Sequence, residues 1–325
     1  MRGLYQGGLS LVELMVTMLI ALFLTLGLFT MFNMSSSNVT TTSQFNQLQE
    51  NGRLAFALME PDVSQLGFFA DITGTEMIPN INTQILANPI APANDCIGAG
   101  VNNATFPDAA SGHFRRLWGY EQGGPDSLSC LAGANEVKDG TDVLQLKRLI
   151  GPDMAAPDDI NRLYMGVTPN QAVIFSGDQI TPGLFNARFW EYQHHVYYIR
   201  DDNNGVPVLR RKTLTKSGMT NDEQLVAGIE DMRILYGFDS NGDDSANSFM
   251  PAENVTSLMW DNELFQRLVA VRIFLLVRAI DQDITYTNDI SYRLGDKVIP
   301  APNDNFRRRI MATTIMLENP VLIRN

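Results

Sequence analysis

The first 34 residues constrain this chain more than any other stretch. A short polar start, MRGLYQGG, gives way after Gly8 to an apolar run, LSLVELMVTMLIALFLTLGLFTMF. No charged residue stands between Leu14 and Gln49, and the only charge inside the apolar block is Glu13. Crossing a bilayer takes about 20 apolar residues in a helix, and Leu9–Met34 exceeds that. Backbone groups that face lipid must be paired within the segment, so the run is expected to be helical. Arg2 precedes the run and no acid does before Glu13, which favours a cytoplasmic N-terminus.

Two ordinary readings leave something unexplained. A secretory signal peptide has an apolar core of roughly 7–15 residues and a small-residue cleavage site. Here the run is longer and no A-x-A follows it. A plain single-pass anchor fits the length but gives no reason for Glu13, since an acid inside a membrane segment costs roughly 2.5–3.5 kcal/mol. Gly8, Leu9 and Glu13 together resemble the type IV pilin and pseudopilin superfamily. Its motif is a glycine, a cleavage point, a hydrophobic residue and a glutamate at the fifth mature position. The resemblance implies that a prepilin peptidase removes residues 1–8 and methylates Leu9. It also implies that parallel N-terminal helices bundle, with the Glu13 carboxylate facing the amine of a neighbour's Leu9. Such a pair would set axial register more than add stability, because desolvation offsets attraction at low dielectric.

Residues 9–66 read as one long helix: a membrane and assembly segment over 9–34, then an amphipathic part. Asn33–Gln44 is rich in Ser, Thr and Asn, poor helix formers, and reads as flexible or partly melted. Phe45, Leu48, Ala55, Met59, Val63 and Leu66 recur near helical spacing and form a stripe that should pack on a head. Pro61 predicts a kink near Met59–Asp62. Residues 67–325 form the expected head. Its first part, to about residue 135, is rich in Gly, Pro, Asn and Ala and reads as loops with short strands, including Phe114–Gly119. Strand patterns then follow at Asp142–Leu149, Gln171–Phe175, Val196–Arg200, Val206–Thr213, Leu268–Ala279 and Arg309–Leu317, while Leu225–Phe238 reads as a short helical or strand piece. Asp201–Gly205 between two of these has hairpin chemistry. Strands without intervening helices argue for an antiparallel sheet. The fold class is therefore α+β, a long N-terminal helix packed on an antiparallel β-sheet head, and the pilin resemblance implies the same layout.

The chain carries 24 Lys+Arg against 36 Asp+Glu, net −12. An acidic chain without a long basic tract repels phosphate, so nucleic acid is not an expected partner. Arg210-Arg211-Lys212 and Arg307-Arg308-Arg309 read as solvated strand faces. Cys96 and Cys130 are the only cysteines and could pair in an oxidising compartment, with two unrelated buried thiols as the alternative. Asp239, Asn241 and Asp243 place oxygens at the first, third and fifth positions of a partial calcium loop. The register fails beyond that: Gly242 is fourth and no Glu is twelfth. An Asp/Asn/Gly turn explains the same residues. His194 and His195, adjacent on a strand, should face opposite ways. Trp118, Tyr120, Trp190, Tyr192, Tyr197 and Tyr198 read as core. No catalytic or nucleotide motif is readable, and the chain is not expected to be an enzyme or to need a cofactor.

QENGRLAFALMEPDVSQLGFF (residues 49–69), Gly140–Leu144 and LVAGIEDMRILYGFDSNGDD (residues 225–244) resemble the PilW group of type IV minor pilins. The resemblance implies a subunit of a membrane complex that primes pilus assembly, with other minor and major pilins as partners. It places the chain in the bacterial inner membrane with its head in the periplasm, and at the pilus or cell surface after assembly. Two alternatives stay open: a minor pseudopilin of a type II secretion system, and a membrane-anchored periplasmic binding or enzymatic domain.

Overall fold

A computed structural model describes residues 10–98, 100–108, 113–131, 133, 136–202, 204–261 and 265–319. Gly8 and Leu9 lie outside them. The chain divides into two compact units, one through residue 47 and one from residue 48 onward. A single helix, α1 (Leu11–Ser64), contributes to both.

The first unit is α1 up to Gln47. The helix runs unbroken through Asn33–Gln44, where melting was expected. A propensity deficit of up to about 0.7 kcal/mol per residue is a weak prior that context overrides. Within the apolar run, Thr17, Thr25 and Thr30 return their hydroxyls to carbonyls three or four residues back, which satisfies them without leaving the helix.

In the second unit, residues 48–64 of α1 bury the apolar stripe. Leu48, Ala55, Met59, Val63 and Leu66 are all fully buried. The helix continues through Pro61 as one element and ends three residues later, at Ser64. Gly67, at φ 76°, takes the left-handed conformation that commonly follows a helix end. Gly52 has a packing reason: a side chain there would collide with Met311 and Val277. Its absence lets the helix approach the sheet closely.

Two sheets form the body of this unit. The larger contains β1 (Thr83–Ile85), β2 (Leu117–Glu121), β3 (Asp142–Met154), β4 (Leu163–Val167), β5 (Ala172–Ser176), β6 (Arg188–Asp201), β7 (Pro207–Thr213) and β8 (Glu223–Ala227). Its order is β1-β5-β4-β6-β3-β2, and β7 joins β6 to β8. All its pairs are antiparallel except β1–β5, which is parallel. The smaller sheet has the order β10-β9-β11-β14, formed by Ser248–Pro251, Ile229–Asp239, Arg267–Arg278 and Arg308–Met316. A hairpin of β12 (Tyr292–Leu294) and β13 (Lys297–Ile299) packs on one of its faces, where Leu276, Tyr292 and Leu294 form a satellite cluster. A single helical turn, α2, occupies Ser257–Trp260.

The expected hairpin is present. Asp201 pairs with Pro207, and Gly205 N donates to Asp202 O at 2.7 Å. The piece at Leu225–Phe238 is not helical: the chain is strand on both sides of Gly228, which at φ 82° passes it from the large sheet to the small one. The six aromatic side chains expected in the core are all buried.

Candidate functional site

The N-terminal unit carries its chemistry at one end. Ser10 N donates to Glu13 Oε2 at 2.9 Å, and Glu13 N donates to Ser10 Oγ at 3.3 Å. This reciprocal pair is a capping box, which satisfies two otherwise unpaired donors at a helix start. The S-x-x-E spacing was present in the sequence and is the signal that a reading of Glu13 by charge alone passes over. Beyond it, the apolar side chains of the unit face outward: Leu14, Leu19, Phe23 and Phe29 are exposed. The helix is long and apolar enough to cross a membrane.

The head holds its charges inside. Asp62, on the apolar side of α1, is buried. It receives Arg148 Nη2 at 2.5 Å, lies 2.6 Å from His195 Nδ1, and accepts from the Tyr197 hydroxyl. One carboxylate thus joins α1 to β3 and β6. Burial pushes the Asp62 carboxyl up, but the His195 hydrogen bond and charge, the Arg148 charge and the Tyr197 hydrogen bond outweigh it. The group is held well below the usual carboxylate range. His194, the next residue, points elsewhere, toward Thr105 Oγ1 at 3.0 Å and Gln145 Nε2 at 2.9 Å. Burial, then the charges of Lys147 and His195, hold its pKa well below the ordinary value.

Lys147 is fully buried, donating to Asn103 O and Arg115 O at 2.9 Å each, with its ammonium 4.6 Å from the Phe114 ring. Burial lowers its pKa strongly; Asp95 opposes this and Arg115 reinforces it. Arg233 on β9 holds Glu121 on β2 and Asp142 on β3 at 2.6 and 3.1 Å, and Glu253 and Asp296 at 2.6 and 2.7 Å. It therefore ties the two sheets together. Burial would lower its pKa, but Asp296, Asp142 and Glu253 raise it further.

Apart from Arg309, which is exposed, the residues of the two basic clusters are not solvated. Arg210 pairs with Asp202 and Asp222, Arg211 with Glu223, and Lys212 with Glu136. Arg308 pairs with Glu230 and Asp304, and Arg307 with Asp283. Some of these acids are near in sequence, such as Asp304 four residues before Arg308, but others are distant: Glu230 lies 78 residues from Arg308. Cys96 and Cys130 are joined in a disulfide. The loop it closes, with a sequence separation of 34, corresponds to roughly 3–4 kcal/mol in the chain-entropy model.

Asp239, Asn241 and Asp243 form a turn whose oxygens are occupied by donors. Asp239 accepts from the N–H groups of Asn241, Gly242 and Asp244, and Arg267 Nη2 lies 3.3 Å away. Asp243 accepts from Asn241 and Ser245. Among the described residues no group of three His, Cys, Asp or Glu could hold a metal ion. A calcium titration is expected to leave the melting temperature of the chain unchanged, because an Arg and three amides already fill the Asp239 carboxylate. A calcium-dependent rise would require Arg267 to leave.

The comparisons bear on this geometry in one region above all. Residues 196–319, from mid-β6 to just past β14, match the family model PilW, type IV pilus-assembly protein W. Over that stretch the chain is similar to the PilW family. The stretch includes both basic clusters, the 239–244 turn and the whole small sheet. Among curated proteins, none matches the chain. A type IV-like pilin from Thermus thermophilus aligns at a TM-score of 0.36 and 12% identity, covering 86% of this chain and 98% of that one.

Proposed function

We propose that this chain is a minor pilin, incorporated in type IV pili or priming their assembly. The observation that carries the reading is the joining, in one chain, of a segment similar to the PilW family over residues 196–319 to an apolar N-terminal helix with Glu13 as its only charge before Glu50. The role is non-catalytic. Parallel N-terminal helices bundle in the inner membrane, and the head, in the periplasm, contacts the heads of other minor and major pilins.

The processing site is Gly8–Leu9. Glu13 has two partners to choose between: its own Ser10 amide, which it accepts from in the isolated chain, and the amine of a neighbouring Leu9 in the bundle. The head contributes a rigid body. A head whose helix, two sheets and loops are locked by Asp62, Lys147 and Arg233 presents fixed surfaces, which is what contacts of defined register require.

Intact and N-terminal mass spectrometry of the protein from its native membrane tests the reading. A chain beginning at N-methyl-Leu9 is expected. A chain that keeps residues 1–8 in a peptidase-proficient cell would sink it. Deletion then separates the systems: loss of surface pili and twitching marks a pilus subunit, and loss of type II secretion marks a pseudopilin.

A further inference from the structure

The outer edge of β14 is an undefended strand. β14 pairs with β11 over Arg308–Met316 without a bulge, and it ends the small sheet. The ladder runs from Ala279 N donating to Arg307 O at 2.8 Å to Leu317 N donating to Val269 O at 2.9 Å. Odd-numbered residues therefore bond β11. The N–H and C=O groups of Ile310, Ala312 and Thr314 point the other way, and among the described residues no other element bonds them. Natural edges are usually shortened, bulged, broken by proline or charged. The opposite edge, β10, is four residues long and ends in Pro251. β14 is nine residues long, and from Ile310 to Met316 it carries no charge.

Beside that edge runs a groove of about 510 Å³, lined by Arg53, Phe56, Ala57 and Glu60 of α1 and by residues 309–313. The four α1 positions are spaced i, i+3, i+4, i+7, so they form one face. Phe56 is half-buried against the core. Arg53 and Arg309 are exposed, and among the described residues neither has a carboxylate partner. That stands out in a chain of net charge −12 whose other arginines mostly sit on acids. Glu60 closes the far end of the groove, seven residues along the helix from Arg53.

We propose that β14 and this helix face receive an extended acidic segment of a neighbouring filament subunit, added as a further strand to the small sheet. The proposal rests on the assembly reading above and names the surface that reading leaves unspecified. Main-chain bonds to residues 310, 312 and 314 hold the segment, and alternate side chains face the helix. A small or apolar side chain meets Phe56 and Ala57, and an Asp or Glu lies against Arg53 and Arg309. A second copy of this chain is the poorer occupant. Its own edge brings Arg307, Arg308 and Arg309 and no acid before Glu318.

The test is a photo-crosslinking residue placed at Ala312 in the full chain, in its native membrane, with the same residue at exposed Val298 as a control. The expected result is an adduct from position 312, absent from 298, with another filament subunit. The linked peptide should carry an Asp or Glu. Arg309→Glu should lower the adduct yield at least fivefold while Arg309→Lys keeps most of it, and raised salt should weaken it. Ala312→Pro, checked for an unchanged melting temperature, should abolish binding without touching the charges. A chain processed at Gly8 and required for filaments, yet giving no adduct at 312, overturns this proposal alone. An adduct with a second copy, with a protein outside the filament, or with a yield indifferent to Arg309→Glu also overturns it. A chain left unprocessed and dispensable for filaments overturns the assembly reading first.

Discussion

The two parts of α1 treat apolar side chains in opposite ways. In the first, Leu14, Phe23 and Phe29 are 49, 71 and 65% exposed. In the second, Leu48, Ala55, Met59 and Val63 are at 0%. Both parts are helix, so the difference lies in pattern. The first, up to Phe32, is apolar on nearly every side, and such a helix suits an apolar surrounding or a bundle of like helices. The second buries one apolar stripe and turns Arg53 and Glu60 outward, with Leu54 as an exposed exception. A stripe needs a matching surface, and the sheets supply one. Charge follows the same division: one carboxylate caps the start of the first part, and one is buried beneath the second.

The largest effect should come from breaking the buried charge of the second part. Asp62→Asn leaves Arg148 buried without its anion and should cost roughly 3–5 kcal/mol of head stability at neutral pH. Urea unfolding of the detergent-solubilised full chain measures it. Because the Asp62 carboxyl is held below its unfolded value, its contribution is present above pH ~4 and is lost as pH falls through the depressed value. Wild type and Asp62→Asn should therefore converge in acid. A difference that stayed constant down to pH 2 would mean that Asp62 acts through shape and not charge.

A pair of truncations sharpens the contrast between the two parts. Met59→Ala empties a fully buried site and should cost roughly 2–5 kcal/mol. Leu19→Ala removes similar bulk from a side chain that is 55% exposed, and should leave the head's unfolding midpoint unchanged. Equal losses would mean that the two parts share one packing environment, against the exposure each shows.

Much of this division was legible in the sequence. The stripe from Leu48 to Leu66 follows from spacing, and all five of its members from Leu48 onward are buried; Phe45, on the far side of the unit boundary, is 39% exposed. The strands from residue 142 onward follow from alternation, although β6 extends from Arg188 to Asp201, well before the Val196 start that its pattern suggests. What stayed hidden depends on distant partners. Asp62 lay one residue past Pro61, and an acid on an otherwise apolar helix face was the available signal. Its three partners, Arg148, His195 and Tyr197, come from strands 86 to 135 residues away, beyond the reach of local pattern. The basic clusters misled partly for the same reason, since Glu230, which holds Arg308, is 78 residues away. Between residues 67 and 139 there is little periodicity to read: the loops are fixed by individual bonds such as Thr105 N to Asp95 Oδ1 at 2.7 Å and by the disulfide.

The smallest effects are expected at the start of the first part, and they separate two roles of one side chain. Ser10→Ala removes the hydroxyl that accepts from Glu13 N and should cost about 1 kcal/mol of local helix stability. Amide exchange at residues 11–13 should quicken while the head's unfolding does not move. Glu13→Gln is the more informative change. Glutamine keeps an acceptor oxygen for the Ser10 amide, so the capping box survives and exchange at residues 11–13 should stay slow. It removes the negative charge, so any partnership with a neighbour's amine is lost. Normal helix protection with defective filament incorporation would assign Glu13 to the neighbour. Normal incorporation would assign it to its own helix, and the pairing between subunits would have to be abandoned.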